Sequence, residues 1–308
     1  MGGGSVHLER RERLAPDEVR AVLRLVDEVT AADGVRPLAE HVMLHLRYGG
    51  DVAARNLLLW DGDELAGYAH LDTTDAVEGA SAELAVAPTH RGRGHGRRLV
   101  EALRAEVGAT GRLRLWSHGS HDGATALAHA LGFRRERVLW QMRRSLFSPV
   151  DEPRWPEGVT IRTFRVGQDE DAWLAVNNRA FAAHPDQGTW SAHDLEMRER
   201  EPWFDPAGFF LAESDGRLVG FHWTKIHGAH EHGHEPMGEV YVVGVDPSMQ
   251  GKGLGPALTL HGLKHLRAVG LSQVMLYVDD VNTNAIRTYE RLGFAKWDVD
   301  VCFLQDAS

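Results

Sequence analysis

The sequence predicts two consecutive domains of mixed α/β class, and three observations support that prediction. The length of 308 residues suits two domains of ordinary size, each able to bury its own core. An apolar hairpin pattern occurs twice, and a strand that leads through a proline into a glycine-rich loop also occurs twice. Because these features follow in the same order in both halves, we interpret the chain as a duplication.

The first repeated feature is a β-hairpin. Residues 56–71 read NLLLWDGDELAGYAHL, and residues 209–225 read FFLAESDGRLVGFHWTK. In both stretches Asp-Gly joins two apolar runs, and this pair favours a tight turn between antiparallel strands. The turn residues Asp61 and Asp215 are 154 positions apart.

The second repeated feature is a strand that ends in three alternating glycines. Residues 82–103 read AELAVAPTHRGRGHGRRLVEAL, and residues 238–258 read GEVYVVGVDPSMQGKGLGPAL. The offset between the halves is 156 at the acids, Glu83 and Glu239, and grows to 161 at two LGF triplets near the end of each half. A slowly growing offset predicts the same order of elements with small insertions in the loops.

The remaining elements follow from hydrophobic periodicity. Each half is expected to begin with an amphipathic helix and to end with a strand, a short helix and the LGF triplet. Residues 148–158 contain three prolines, which is typical of a semi-rigid linker. We therefore predict domains at residues 1–147 and 159–308, each a mostly antiparallel twisted sheet flanked by helices.

Composition limits the function classes. The net charge of −10 argues against a nucleic-acid or anionic-membrane surface. The single cysteine, Cys302, excludes an internal disulfide and suits a reducing compartment. No stretch approaches the roughly 18 apolar residues of a membrane span, and the charged N-terminus does not resemble a signal peptide. We expect a cytoplasmic monomer without nucleic-acid or membrane partners.

The glycine-rich loops predict anion sites. Unpaired N–H groups and the helix dipole both point at a ligand that lies where a strand, a glycine loop and a helix meet. Lys252 in the second loop, and Arg91 and Arg93 in the first, add positive charge that suits a pyrophosphate. Neither loop has the GxxxxGK[ST] pattern of nucleoside-triphosphate sites, and the GxGxG spacing after a hairpin differs from the GxGxxG dinucleotide fingerprint.

At these loops the sequence resembles the GNAT superfamily of N-acetyltransferases. The pattern [Q/R]-x-x-G-x-[G/A] resembles its acyl-CoA loop in both halves, and VNTNAIRTYERLGF at residues 281–294 resembles a later motif that lines the thiol end of the cofactor. The resemblance implies two tandem GNAT acyl-CoA N-acyltransferase domains, acetyl-CoA as the acetyl donor, and room for a second acetyl-CoA or CoA in the first domain. The implied cofactor contacts of the second half are Val243, Gly244, Val245, Gln250, Gly251, Lys252, Gly253, Leu254, Gly255, Pro256, Asn282, Asn284 and Arg287. Those of the first half are Leu84, Ala85, Val86, Arg91, Gly92, Arg93, Gly94, His95 and Gly96.

Acetyl transfer to an amine needs a proton acceptor, a polarised thioester carbonyl and a proton for the leaving thiolate. In the second half Glu239 is the candidate base, a backbone N–H near residues 243–245 the candidate carbonyl donor, and Tyr289 the candidate acid. A core tyrosine is the structural alternative for Tyr289. The first half has alanine and glycine where the second has Tyr289 and Asn284, so we predict that it binds the cofactor without catalysis.

A closer resemblance concerns the acceptor. The stretches DGVRPLAEHV at residues 33–42, NNRAFAAHPDQGTW at 177–190 and GFHWTKIH at 220–227 are similar to the mycothiol synthase family, which acetylates the cysteinyl α-amine of cysteinyl-glucosaminyl-inositol. The family usually has glutamate where this chain has Asp186. Glu40 would complete the acceptor site from the first half. The acceptor contacts that the resemblance implies are Glu40, Asp186, Lys225, Glu239 and Tyr277.

Two alternatives stay open at this stage. The chain could acetylate another small amine, or it could be an acetyl-CoA sensor without catalysis. Four histidines between residues 227 and 234 match no zinc-ligand spacing and have no cysteine nearby. For this stretch we predict a polar hairpin loop and no metal.

Overall fold

The computed structural model describes residues 5–49, 54–75, 79–108, 111–182, 190–228 and 235–307. It divides into two compact units. Unit 1 consists of Met1–Leu139 and Asp298–Ser308, and unit 2 consists of Trp140–Trp297. Among the described residues, no helix is long and apolar enough to cross a membrane.

Unit 1 begins with a strand and not with the predicted helix, and two helices follow that strand. The hairpin, the strand before the glycine loop and the later elements then come in the predicted order. Its sheet has the strand order β1-β2-β3-β4-β5-β12, with β4 and β5 parallel and β1 to β4 joined in antiparallel pairs. The elements are β1 Val6–Arg11, α1 Pro16–Asp33, α2 Glu40–Tyr48, β2 Arg55–Asp61, β3 Glu64–Asp72, β4 Ala80–Val86, α3 His95–Val107, β5 Leu113–Ser117, α4 Asp122–Ala130 and the start of β6 Arg134–Ser145.

Unit 2 repeats this order. Its sheet has the strand order β6-β11-β10-β9-β8-β7, with β10 and β11 parallel and β7 to β10 joined in antiparallel pairs. The elements are β7 Val159–Thr163, α5 Glu170–Ala180, α6 Ala192–Glu199, β8 Phe209–Ser214, β9 Arg217–His227, β10 Met237–Val245, α7 Leu254–Ala268, β11 Gln273–Asp279, α8 Thr283–Arg291 and β12 Ala295–Gln305.

Both faces of each sheet are covered, which explains the continuous apolar runs of the hairpins. In β2, Leu57 and Leu59 pack in the cluster that contains α3, whereas Leu58 packs in the cluster that contains α1 and α2. In unit 2, Trp173 of α5 covers one face with an aromatic cluster, and Leu263 of α7 packs on the other.

The bounds of the two units differ from those that the sequence predicts. The chain passes from unit 1 to unit 2 inside β6, and residues 298–305 of β12 return to unit 1, where Val301 to Gln305 pair with β5. Residues 148–158 pack on unit 2: Trp155 contacts His261 with ring centroids 5.6 Å apart. Proline content predicts irregular backbone, but it does not tell whether that backbone is packed, and local sequence does not encode which distant strand completes a sheet.

Candidate active site

The site in unit 2 begins where two parallel strands separate. The described pairs between β10 and β11 are Gly238 with Val274 and Glu239 with Met275, yet β10 continues to Val245. On its other side β10 stays paired with β9 as far as Val245, after a bulge between Val240 and Val242. One backbone edge of β10 beyond Glu239 therefore carries no described strand partner, and Glu239 lies at the vertex of the opening.

The last residues of β10 present backbone to this opening. Val243 and Val245 pack in the apolar clusters of unit 2. A Cβ on Gly244 would lie 2.5 Å from Phe221 Cε1, so only glycine fits beneath that ring. The predicted splayed strand is thus present, and its free edge can pair with the amide groups of a pantetheine arm.

The glycine loop of unit 2 has the conformation of an anion site. Gly251 and Gly253 have φ angles of 75° and 84°, in the left-handed region that glycine enters without steric cost. Gly253 is the N-cap of α7, and no side chain caps this helix. The first N–H groups of α7 are therefore available to a phosphate, as the sequence predicts. Lys252 is exposed beside them.

Glu239 is buried on the sheet and contacts His227, which is predicted to lie in a polar loop and which the structure places at the end of a strand. Its side chain is 10% exposed, and His227 Nε2 lies 2.7 Å from its Oε2. His227 belongs to β9, two residues after Lys225, which pairs directly with Glu239. The sequence signal was the spacing of two residues between Lys225 and His227, which places both side chains on the face of the sheet that carries Glu239.

Lys225 lies in an aromatic enclosure. Its side chain is buried, and Nζ lies 4.4 Å from the ring centroid of Trp203 and 5.2 Å from that of Tyr241. Arg198 Nε donates a hydrogen bond of 2.7 Å to Tyr241 Oη and fixes this ring. These contacts hold the lysine by cation–π attraction beside Glu239.

Tyr277 lies on the same face of the sheet as Glu239. It follows Met275, the partner of Glu239, by two residues of β11. The side chain is exposed, and its Oη accepts a hydrogen bond of 2.8 Å from Gln141 Nε2. The structure therefore brings Lys225, Glu239 and Tyr277 to one face of unit 2.

Tyr289 and the asparagines lie at α8. Burial raises the pKa of Tyr289 to about 12, and its ring packs against Phe294 with centroids 5.9 Å apart. Asn282 is the N-cap of α8 and accepts a hydrogen bond of 3.2 Å from the Ala285 N–H. This cap is a structural role that the motif alone did not reveal. Asn284 and Arg287 are exposed on the same helix.

Unit 1 has the same framework. Gly92 and Gly94 have φ angles of 73° and 82°, close to those of their counterparts in unit 2, and Gly94 is the N-cap of α3 without a side-chain cap. The described pairs between β4 and β5 end at Glu83 with Trp116, although β4 continues to Val86. Both units therefore open one backbone edge at the position of the predicted acid.

In unit 1, the predicted acid Glu83 is held by contacts with other residues of the same unit. Glu83 Oε2 accepts a hydrogen bond of 2.6 Å from the Ala39 N–H and lies 3.5 Å from His118 Nε2, while His118 Nδ1 lies 2.9 Å from Asp300. Burial alone would raise the pKa of Glu83, but His118 and the Ala39 N–H lower it to about 2. Burial alone would lower the pKa of His118, but the two carboxylates raise it to about 10. Glu83 is therefore a weaker proton acceptor than an ordinary glutamate.

A cavity of about 560 Å³ lies in unit 1. It extends from the glycine loop, past the end of β4, to α4 and the core side of β5, and its volume suits a drug-sized ligand. Arg91, at the start of the loop, forms two hydrogen bonds to Asp33, of 2.7 and 2.8 Å. The predicted cofactor residues that line it are Leu84, Ala85, Val86, Arg91, Gly92, Gly94, His95 and Gly96.

Two of the predicted acceptor residues, Glu40 and Asp186, are not among the acceptor residues of unit 2 described above. Glu40 is the first residue of α2 in unit 1 and is half-buried. Asp186 lies outside the described residues, as do His230, His232 and His234 of the histidine-rich stretch. Within the described ranges, no group of three or more histidine, cysteine, aspartate or glutamate side chains is placed to hold a metal ion.

Known proteins match this chain over nearly its whole length. The profile of the acetyltransferase (GNAT) family matches residues 173–294, and an acetyltransferase (GNAT) domain matches residues 52–135. A mycothiol acetyltransferase from Acidothermus cellulolyticus is 59% identical over 97% of this chain and 94% of the relative. One from Streptosporangium roseum is 56% identical over 97% of this chain and 99% of the relative. The chain belongs to the mycothiol acetyltransferase family.

Solved structures agree with the fold of this family. A GCN5-related N-acetyltransferase from Sphaerobacter thermophilus matches with a TM-score of 0.68 and 28% identity, over 97% of this chain and 96% of that one. A tandem GNAT protein of the clavulanic acid biosynthesis pathway matches with a TM-score of 0.71 and 20% identity, over 98% and 99% of the two chains. The predicted tandem GNAT fold and the predicted family are thus confirmed.

Proposed function

We propose that this chain transfers the acetyl group of acetyl-CoA to the cysteinyl α-amine of cysteinyl-glucosaminyl-inositol, the last step of mycothiol synthesis. The observation that carries the proposal is the position of Glu239. It lies at the vertex of the strand opening, on the same sheet face as Lys225, His227 and Tyr277. The similarity to mycothiol acetyltransferases, at 56% and 59% identity over 97% of this chain, supports the choice of acceptor.

Glu239 is the proposed base. One carboxylate oxygen is held by His227 at 2.7 Å, which leaves the other oxygen to accept a proton from the amine, directly or through water. An α-amine has a reference pKa of about 8, so a carboxylate assisted by water is sufficient. His227 orients the carboxylate before the amine binds.

Unit 2 fits a CoA thioester by three features. The free edge of β10 suits the pantetheine amides, the uncapped start of α7 suits the pyrophosphate, and a backbone N–H near Val243 to Val245 suits the thioester oxygen. Bound there, the thioester supplies an activated acetyl group. Tyr289 is the proposed acid, and its pKa of about 12 keeps the phenol protonated at neutral pH, ready to donate a proton to the thiolate.

Lys225 and Tyr277 are the proposed acceptor contacts in unit 2, together with Glu40 and Asp186 from the family resemblance. A pseudo-disaccharide presents hydroxyl groups, which an ammonium, a phenol and carboxylates can all bind. The buried ammonium of Lys225 beside Glu239 disfavours polycationic acceptors such as polyamines, because a second cation would meet repulsion there.

Unit 1 is proposed to bind acetyl-CoA or CoA without catalysis. Its glycine loop and free strand edge match those of unit 2. His118 and the Ala39 N–H, however, lower the pKa of Glu83 to about 2, so Glu83 is a weaker base than an ordinary glutamate, and Ala128 replaces the proposed acid. Unit 1 thus keeps the framework of a cofactor site and has neither a strong base nor the acid.

The test is acetyl transfer to cysteinyl-glucosaminyl-inositol beside a panel of ordinary amines, followed by mass spectrometry because the acceptor carries its own thiol. We expect kcat/KM for the cysteinyl sugar to exceed that for other amines by several orders of magnitude. Turnover of another amine with none of the cysteinyl sugar would overturn the acceptor assignment. Saturable CoA binding without any turnover would indicate a sensor.

A further inference from the structure

The lining of the cavity in unit 1 has a polar part and an apolar part. The polar part includes the first N–H groups of α3 and Arg91, which is paired with Asp33. In the apolar part, the lining side chains Leu115, Ala128 and Phe303 belong to the apolar core of the unit. A ligand with an anionic part and an apolar tail matches both parts of the lining.

Ala128 occupies in unit 1 the position of Tyr289 in unit 2. In each unit the phenylalanine of the LGF triplet donates a backbone hydrogen bond to that residue, at 2.9 Å from Phe133 to Ala128 and at 3.0 Å from Phe294 to Tyr289. The helices α4 and α8 thus end in the same way, and the two side chains start from equivalent places. The change from tyrosine to alanine removes a phenol ring from unit 1.

A second small residue leaves further space. Gly123 corresponds to Asn284 of unit 2 at the same offset of 161, and it lines the cavity. A Cβ on Gly123 would meet no heavy atom within 4 Å. Between these two positions Ala124 and Leu127 also line the cavity and are apolar, whereas His118 and His121 are the polar lining residues that precede Gly123 in the chain.

We infer that unit 1 binds acyl-CoA thioesters with acyl chains longer than acetyl, and that the chain lies against Leu115, Ala128 and Phe303. The inference rests on the cofactor site proposed for unit 1. In unit 2 Tyr289 is proposed to reach the sulfur of the cofactor, so the space that Ala128 leaves lies beside the sulfur and the acyl group. Each methylene buried there improves affinity about fourfold. Butyryl-CoA has two methylenes more than acetyl-CoA and should bind about fifteenfold tighter.

The experiment measures binding to unit 1 of the full chain by calorimetry. Gly255→Glu blocks the loop of unit 2, because a Cβ there makes only an ordinary contact of 3.7 Å to Val245 while the new carboxylate repels a pyrophosphate. In this background CoA, acetyl-CoA, propionyl-CoA and butyryl-CoA are titrated. We expect one site, with affinity rising along the series by about fifteenfold from acetyl to butyryl.

Ala128→Tyr in the same background refills the space. We expect it to abolish the preference for butyryl-CoA while acetyl-CoA affinity stays within about threefold. Ala126→Tyr, on the exposed side of α4, is the matched control and should keep the preference. If thermal unfolding shows that Ala128→Tyr does not fold, Ala128→Met fills the same space with a flexible side chain.

The outcomes separate the two proposals. Equal affinity for acetyl-CoA and butyryl-CoA in the background variant overturns the acyl site and leaves the cofactor site standing. A preference that survives both Ala128→Tyr and Ala128→Met also overturns it. Absence of binding of every CoA derivative after Gly255→Glu, with binding by the unaltered chain, overturns the cofactor site of unit 1 itself.

Discussion

His227 and Glu239 are joined by a hydrogen bond of 2.7 Å between neighbouring strands of unit 2, with both side chains largely buried. The contact removes rotational freedom from the carboxylate before any substrate binds. It also leaves only one carboxylate oxygen to face the amine, and this constraint makes the roles of the two residues separable by mutation.

Glu239→Gln should lower kcat/KM by about 10²- to 10⁴-fold, since the amide keeps the shape of the side chain but cannot accept the amine proton. Steady-state kinetics with the cysteinyl sugar measure the loss, and calorimetry should show unchanged CoA affinity. Glu290→Gln, on the exposed surface of α8, is the control and should leave kcat/KM unchanged. Full activity of Glu239→Gln would exclude the carboxylate as the base.

His227→Leu should lower kcat by about tenfold with little change in acetyl-CoA KM, because the carboxylate loses its orienting donor. His227→Gln retains an N–H donor and should recover part of the rate, a rescue that a purely packing role would not show. His193→Leu, at an exposed position of α6, controls for the loss of a histidine. Equal activity of the Leu and Gln variants would contradict the positioning role.

Tyr289→Phe should lower kcat by about 10²-fold, since the variant keeps the ring contact with Phe294 and loses only the proton donor. Burial raises the pKa of Tyr289 to about 12, so its proton is retained at all lower pH values. The pH–rate profile of the unaltered enzyme should therefore show no decline from this group below about pH 11. A decline near pH 10 that disappears in Tyr289→Phe would show that the phenol is not buried in this way.

Gly253→Ala should raise the acetyl-CoA KM at least tenfold, because a non-glycine residue at a φ of 84° costs about 1–2 kcal/mol and distorts the loop. Gly94→Ala makes the same change in unit 1, where φ is 82°. Turnover by Gly94→Ala should stay within about twofold of the unaltered enzyme, since unit 1 is proposed not to catalyse. A severe loss of kcat in Gly94→Ala would place unit 1 in the reaction.

His118→Asn should destabilise unit 1 at pH 6 by about 3 kcal/mol, which corresponds to a fall in Tm of about 5–10 °C, because Glu83 loses its buried partner.

The pKa of His118 is raised to about 10, so the stability that His118 contributes is present below about pH 6.5 and is lost as the pH rises through 10. The pKa of Glu83 is lowered to about 2, so its contribution is lost as the pH falls from about 4 toward 2. Thermal unfolding between pH 5 and pH 10 should show a decline with pH in the unaltered chain and a weaker decline in His118→Asn. The exposed His129→Asn is the control, and an identical pH dependence of all three chains would contradict the assignment.

Most of the fold could be predicted from the sequence because short local patterns indicate its elements. The Asp-Gly hairpins, the glycine loops and the LGF triplets are short-range signals, and the structure places each of them as predicted. Contacts between distant residues gave no such signal: His118 and Asp300 are 182 positions apart, and Arg91 and Asp33 are 58 apart. For the same reason, two further contacts could not be predicted: the pairing of β12 with β5, and the hydrogen bond from the Ala39 N–H to Glu83.

The path of β12 has a consequence for how the protein is made. Residues 298–305 are translated after every other element of unit 1, so the N-terminal sheet stays one strand short until synthesis has passed through all of unit 2. Until then the outer edge of β5 is an unpaired edge, of the kind that invites misassociation on the ribosome. Truncation of the chain before residue 298 should therefore destabilise unit 1 before unit 2, because unit 1 loses a strand. A protease cut at residues 148–158 should not separate the two units, because residues 301–305 stay paired with β5.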